Sequence, residues 1–375
     1  MGTSPKARVL GPMPLPLRSF GEGGCFAGNA PARGVCFWGR PMIRKMIILG
    51  LAVGALVFAP SSAAAADPVQ DAIGKAVAWL HTKQLADGSF GGASVTADAV
   101  YALVLSGENP AGAAWTANGH TALDGLAGLA SGYVCPIGVC NDAGRAGRVA
   151  RAVALAGGDP RSFGGMDLIA IIRNKYDAAT GRYQSGTTLY GHTLAVEGLL
   201  RSGVAVPDAA LSALFGAQLP DGGWFWSFSG TVSDIDSTGR VMQLLAGNAG
   251  VRCASAYPRV TSFLAAAQLS SGGWGVCPPP NANPPNANST ALAVGGLRAI
   301  GVDPDGPQFQ KSGVGALQRL LSFQESSGAF VYIQQTDKEE SRLMATLDSL
   351  TALARPLAPP AVCRPVYLPS LLRMP

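Results

Sequence analysis

Apolar residues recur at helical spacing along most of the chain, in blocks separated by short glycine-containing loops. In the first block Ile73, Val77, Leu80 and Leu85 share one face of a helix predicted over residues 69–85. Val100, Leu103 and Val104 share the face of a second helix, whose start is predicted at Thr96-Ala-Asp98. Between them lies Gln84-Leu-Ala-Asp-Gly-Ser-Phe90, and this form returns as Gln218-Leu-Pro-Asp-Gly-Gly-Trp224, Gln268-Leu-Ser-Ser-Gly-Gly-Trp274 and Gln324-Glu-Ser-Ser-Gly-Ala-Phe330. Asp177-Ala-Ala-Thr-Gly-Arg-Tyr183 keeps the glycine and the ring, and a sixth copy is expected at Ser131-Gly-Tyr133.

The aromatic positions 90, 133, 183, 224, 274 and 330 lie 41 to 56 residues apart, which marks a repeat architecture. The second helix of each unit ends on a similar signal, such as Ser106-Gly-Glu-Asn-Pro110, Gly157-Gly-Asp-Pro160 and Gly301-Val-Asp-Pro304, because proline cannot continue a helix. In the second unit the helices are predicted at residues 119–130 and 141–156. The chain is therefore all-α, with six helix pairs. A two-helix unit of this size buries its faces only against its neighbours. The pattern alone leaves open an open solenoid or a closed ring, and the lack of polar terminal caps favours closure.

The repeated Gln-x-x-x-Gly-x-Trp form resembles the QW repeats of the terpene cyclase and protein prenyltransferase superfamily, over about residues 68–355. The resemblance implies an α/α toroid of six outer and six inner helices around a central cavity, in one domain. In that reading Gln84, Phe90, Gln218, Trp224, Gln268, Trp274, Gln324 and Phe330 are scaffold. The glutamine amide ties backbone ends together, the glycine lets the chain turn, and the ring covers the turn.

The resemblance also implies that inner-helix N-termini surround the cavity mouth, at Asp98, Asp142, His192, Asp234, Asp236, Asn288, Thr290 and Glu340. Ser233-Asp-Ile-Asp-Ser-Thr238 resembles the Asp-x-Asp-Asp-Thr acid motif of class II terpene cyclases. Asp236 would be the acid that protonates an alkene or epoxide, and Asp234 its partner. The last aspartate of the motif is Ser237 here, so one carboxyl of the cluster is missing. The competing reading makes Asp234, Asp236, Ser237 and Thr238 helix caps, a role these side chains commonly fill. Asp98, His192, Asn288, Thr290 and Glu340 are candidate ligand-binding positions. No zinc set is recognisable around the three histidines, and neither a metal nor a cofactor is expected.

Charge alters the picture at the N-terminus. Seven of the 28 Lys/Arg, but one of the 23 Asp/Glu, lie in residues 1–66; the rest is close to neutral and shows no footprint for nucleic acid. Residues 42–66 read as a signal peptide, with a basic start, a short apolar core and Ser61-Ser-Ala-Ala-Ala-Ala66 as cleavage site. Residues 1–41 are read as an upstream leader outside the mature protein, and residues 356–375 as a proline-containing tail. Export places the remaining cysteines in an oxidising compartment. Cys135–Cys140 and Cys253–Cys277 are the expected pairs, with Cys363 left over. The expectation is a secreted, monomeric toroid with no membrane span after cleavage, binding an apolar or amphipathic small molecule or a cell-surface partner at its mouth. The alternative is a divergent class II cyclase. Glycan hydrolysis on an α/α barrel is a third reading and needs two carboxyls about 5–10 Å apart across a cleft.

Overall fold

A computed structural model of the chain describes residues 67–184, 188–246, 256–333 and 337–355. The leader, the signal peptide, the tail and Cys253 lie outside the described residues. Each pair of apolar blocks folds as an outer helix followed by an inner one. The outer helices are α1 (Pro68–His81), α3 (Ala122–Val134), α5 (Leu168–Arg173), α7 (Asp208–Gly216), α9 (Ala256–Ala267) and α11 (Ala316–Leu321). The inner helices are α2 (Ala93–Leu105), α4 (Ala143–Leu155), α6 (Leu189–Arg201), α8 (Ile235–Ala246), α10 (Ala287–Ile300) and α12 (Glu339–Ala354).

Neighbouring inner helices touch in chain order, and α12 touches α2, so the inner wall is a closed ring. The outer helices lean back: α3 packs on α2, α5 on α4, α11 on α10, and α1 packs on α12 across the junction. The α/α toroid is thus present.

Two boundaries differ from the sequence pattern. The first helix stops at His81, because Gln84 is drawn into the loop, where its Nε2 donates to Gly88 O at 3.1 Å. The second begins at Ala93, capped by Gly92, and Thr96 lies inside its first turn rather than at its start.

The motif performs one structural task four times. Each glutamine amide donates to the carbonyl of its own motif glycine: Gly88, Gly222, Gly272 and Gly328. It also reaches the next unit, as Gln84 does to Trp115 O at 2.9 Å and Gln268 to Phe309 O at 2.7 Å. For the last copy the next unit is the first one, and Gln324 Nε2 donates to Ala72 O at 2.8 Å. The motif glycines hold φ of 83 to 98°, the left-handed region that side chains avoid. The buried indoles of Trp224 and Trp274 donate to Leu214 O and Leu264 O, occupying carbonyls at the ends of α7 and α9.

The second unit breaks the pattern. Helix α3 runs on to Val134 and takes Tyr133 into it, so Tyr133 is not the sixth motif aromatic. Its ring instead lies under the Arg145 guanidinium at 5.4 Å. The following loop is closed by the expected Cys135–Cys140 disulfide. Cys277 is also disulfide-bonded.

The ring is drawn tight where glycines face each other. A methyl group on Gly147 of α4 would lie 2.6 Å from Ala195 Cα of α6, and one on Gly198 would lie 2.6 Å from Gly147 Cα. Gly147→Ala is therefore expected to destabilise the fold by about 2 kcal/mol or more, since backbone and not a side chain must give way. Thermal denaturation checks this; an unchanged Tm would mean that the α4–α6 crossing can widen to admit a methyl group.

Candidate functional site

In several units the loop that follows the motif aromatic crosses to the previous inner helix and pins its first N–H. Leu189 N donates to Trp226 O at 2.8 Å, Ile235 N to Val276 O at 2.9 Å and Ala287 N to Tyr332 O at 2.9 Å. These N-terminal ends form the mouth of the ring. Trp226, 37% exposed, and Ile333, 42% exposed, stand on its rim together with the part-exposed Tyr332.

The aromatic's own N–H is met by a side chain of its inner helix, at the fourth residue in α2, α6, α8 and α10 and at the eighth in α12. Thr96, Thr238, Thr290 and Thr346 hydroxyls accept from Phe90 N, Trp224 N, Trp274 N and Phe330 N at 2.9–3.1 Å. In the third unit His192 replaces threonine: Nδ1 accepts from Tyr183 N at 3.0 Å, and Nε2 lies 2.9 Å from Ala210 O. Those partners fix a neutral imidazole protonated at Nε2. Burial and the nearby Arg182 push its pKa down to about 4 against the pull of Ala210 O. His192 and Thr290 are thus spent on the scaffold and are fully buried.

Four residues before this position lie the caps. Asp142, Thr188, Asp234 and Asn286 accept from Arg145 N, Gly191 N, Ser237 N and Ser289 N at 2.7–3.1 Å. Asp234 therefore does cap α8. Asp236 occupies the second position of the helix, level with Tyr190 and Asn288, where no capping bond is made. Glu340 lies exposed in the first turn of α12, which begins earlier than its siblings.

Below the mouth the inner faces are polar, and the interior is filled by arginines and carboxylates. Arg151, buried, donates to Asp98 Oδ1 and Glu197 Oε2, both at 2.7 Å, and lies 4.3 Å over the Tyr101 ring. Arg148 donates to Asp98 Oδ2 at 3.1 Å, and Tyr101 OH donates to Glu197 Oε1 at 2.8 Å. Burial opposes ionisation of Glu197, but Arg151, Arg240 and Arg201 outweigh it and hold its pKa at about 2. Burial likewise opposes ionisation of Asp98, and Arg148 and Arg151 bring its pKa below the usual value. A third cluster joins Asn288 Nδ2 to Asp348 Oδ2 at 2.7 Å, with Arg240 at 3.9 Å from Asp348 Oδ1.

A small cleft among the described residues, with room for about one water molecule, is lined by Asp98, Tyr101, Arg151, Arg240, Leu347, Asp348 and Thr351. No group of three potential metal ligands occurs among the described residues. Of the candidates from the sequence, Asp98, Asp234, Asp236 and Asn288 meet at this end of the ring. Arg148, Arg151, Tyr190, Glu197, Arg240 and Asp348 were not singled out. Their signal was present as charges at i, i+3 or i+4 inside otherwise apolar helices, Arg148/Arg151 and Asp236/Arg240 above all.

Asp234 and Asp236 stand apart electrostatically. Burial, and then the charge of Asp236, push Asp234 up to about 7 despite its bonds at Ser237. Burial pushes Asp236 up to about 6, with Asp348 adding to it while Ser289 and Arg240 hold it back. The residue keeps some contact with solvent, yet its Oδ1 is sealed and makes no hydrogen bond, as is true of Asp234 Oδ2. Near neutral pH this is a pair of partly protonated carboxyls on the first turn of one inner helix.

No family model matches the chain, and no curated protein does so in sequence. Solved structures do match. The apo type II terpene cyclase MstE from Scytonema aligns with a TM-score of 0.53 and 15% identity, covering 76% of this chain and 98% of that one. The fold is that of the terpene cyclase toroids. It is shared with sugar-active enzymes: the unsaturated glucuronyl hydrolase of Bacillus sp. GL1 aligns with a TM-score of 0.51 and 14% identity, covering 77% and 95%. A glycosyl hydrolase family 88 protein from Bacteroides vulgatus aligns at 0.53 and 10%, covering 76% and 96%. At such identities the toroid is what is shared, and the chemistry must be argued from the side chains.

Proposed function

We propose that this protein is an extracytoplasmic toroid that binds a small amphipathic molecule at the N-terminal mouth of its ring, against Asp236. The observation that carries the proposal is Asp236 itself, part-exposed in the first turn of α8 with one carboxyl oxygen that makes no hydrogen bond. A polar atom left unbonded under cover is costly, and a ligand that meets it recovers that cost. The rim of Trp226, Tyr332 and Ile333 supplies an apolar collar, while the floor is polar. Interior filling by arginines and carboxylates favours an amphipathic occupant seated at the mouth over a wholly apolar one enclosed in the ring. The Cys135–Cys140 disulfide supports an oxidising compartment, and no helix among the described residues is long and apolar enough to cross a membrane.

Native mass spectrometry of the protein purified from its own host tests this. A bound small molecule that is lost in Asp236→Ala and Trp226→Ala is the expected result. Protein that carries nothing, and whose tryptophan emission does not respond to prenyl alcohols or acids, overturns it.

A second reading is favoured by the pKa of about 6 at Asp236 and by its place in the Asp-Ile-Asp-Ser-Thr run. A carboxyl still protonated near neutrality, in a site short of water, is suited to protonating an alkene or epoxide. Asp236 would donate the proton, and Asp234, with its own raised pKa, would help keep Asp236 protonated. Conversion of a prenyl substrate that is abolished by Asp236→Asn supports cyclase chemistry; conversion indifferent to that change excludes it.

A further inference from the structure

Six large apolar side chains of the described residues stand exposed: Leu85, Ile137, Val139, Leu200, Trp226 and Ile333. Five of them lie in loops that run from an outer helix to the next inner one, in four different units, and so project from the mouth end of the ring. Leu200, near the C-terminal end of α6, is the exception. Exposed apolar residues without a purpose are scattered singly and would divide between the two ends.

The extreme case is Ile137, whose side chain is 100% exposed. Its backbone is left-handed, with φ 52° and ψ 30°, a conformation that a β-branched residue adopts only at a cost. The Cys135–Cys140 disulfide closes this turn, inside which Gly138 N donates to Cys135 O at 3.0 Å and Val139 N to Pro136 O at 3.1 Å. Backbone strain and apolar exposure are thus incurred together to hold an isoleucine out from the mouth end.

Charge and spacing select what covers these tips. The six outer-to-inner loops, residues 82–92, 135–142, 174–188, 217–234, 268–286 and 322–338, carry four Lys/Arg against seven Asp/Glu. Two such acidic faces repel, which disfavours a second copy of the chain, and an anionic lipid surface would be repelled as well. Tips set apart on four loops make no single patch for a protein partner to cover, whereas a fluid bilayer interface admits each one separately. Trp226 and Tyr332 have the apolar body and polar tip that suit the boundary between head groups and acyl chains. We propose that the mouth end docks on a neutral, zwitterionic membrane surface, with Leu85, Ile137, Val139, Trp226 and Ile333 dipping into the interface.

The inference stands apart from the mouth-binding reading, because docking is measured with lipid alone. Flotation with phosphatidylcholine vesicles, for the wild type, Leu85→Asp, Ile137→Asp and Leu200→Asp, is the experiment. Leu85 and Ile137 lie outside the collar offered to the ligand, and circular dichroism confirms folding. The wild type and Leu200→Asp are expected to float with the vesicles at up to about 1 mM lipid. Ile137→Asp should bind at least about tenfold more weakly, the scale of withdrawing one large aliphatic side chain from an apolar medium. Leu85→Asp should lose less, since Leu85 is already half covered. Added phosphatidylserine or lower salt should not strengthen binding. Wild-type protein that stays in the aqueous phase overturns the proposal, as does a loss in Leu200→Asp equal to that in Ile137→Asp, or binding only when phosphatidylserine is present. Sedimentation velocity without lipid examines the other occupant: a dimer that Ile137→Asp dissociates assigns the tip to a second copy and also overturns docking. Failure to dock in protein that still carries its small molecule leaves the mouth-binding reading standing.

Discussion

Replacing Arg151 by methionine is expected to cost about 3–5 kcal/mol of stability, the scale for removing one partner of a buried ion pair. The arginine side chain is 2% exposed and serves two carboxylates at once. Without it, Glu197 keeps only Arg201 at 3.9 Å, the Tyr101 hydroxyl and the more distant charge of Arg240, and Asp98 keeps Arg148 and that same distant charge. The penalty comes from the stranded carboxylates more than from the lost attraction, because burial charges the full desolvation of an ion that is no longer compensated. Two controls follow from that. Adding Glu197→Gln to Arg151→Met should recover part of the loss, and Arg201→Met alone should cost less than about 1 kcal/mol, since Arg201 is a third exposed. Urea denaturation measures all three. A double variant no better than the single one would show that the packing of Arg151 on Tyr101, and not charge, is what matters.

The second large effect is on pH dependence. Asp234 and Asp236 titrate near 7 and 6 in the folded protein, above the carboxylate value of 3.8. The folded state therefore holds protons that the unfolded chain has already released. Their stabilising contribution is complete below about pH 4 and is lost as pH rises through 6 and 7. His192 runs the other way: its folded pKa of about 4 is below the ordinary histidine value of 6.5, so its contribution is lost as pH falls through 6.5 toward 4. Asp236→Asn isolates one component, because the amide resembles the protonated acid at every pH. The variant should match the wild type near pH 4 and exceed it by about 2 kcal/mol at pH 7.5, a gap that opens between pH 4 and 6.5. Stability curves that run parallel across this range would show that Asp236 is ordinarily ionised and would remove the basis for a proton donor there.

The fold was legible because the motif is local. Gln84, Gly88 and Phe90 fall within seven residues, and their bonds are to nearby backbone or to the adjoining unit, so repetition along the chain displays the ring directly. Tyr133 misled because a glycine next to an aromatic inside a helix looks like a motif remnant, and only the three-dimensional course of α3 shows that it is not. Thr96 reads as a helix start because its hydroxyl does bond backbone, although one turn further in.

The interior was not legible, for a physical reason. Asp98, Arg151, Glu197, Arg240 and Asp348 come from five inner helices and meet only across the ring. In the sequence each is a charge inside an apolar helix, and the spacing of pairs such as Arg148 and Arg151 marks it without saying which partner it meets. Asp236 was visible through its motif, but its raised pKa depends on burial and on Asp348, more than a hundred residues away.

Ring closure has one more consequence. Arg298 Nε holds Arg355 O at 2.7 Å and also feels the charge of Asp67, so the two ends of the described ring come under one side chain. The six units are therefore related as beads on a closed necklace: their order in space is cyclic, while their order along the chain is a linear cut through it. A circular permutation that joined the ends beside Arg298 and opened another inter-unit connection is expected to keep the ring's cyclic contacts, apart from those of the opened loop.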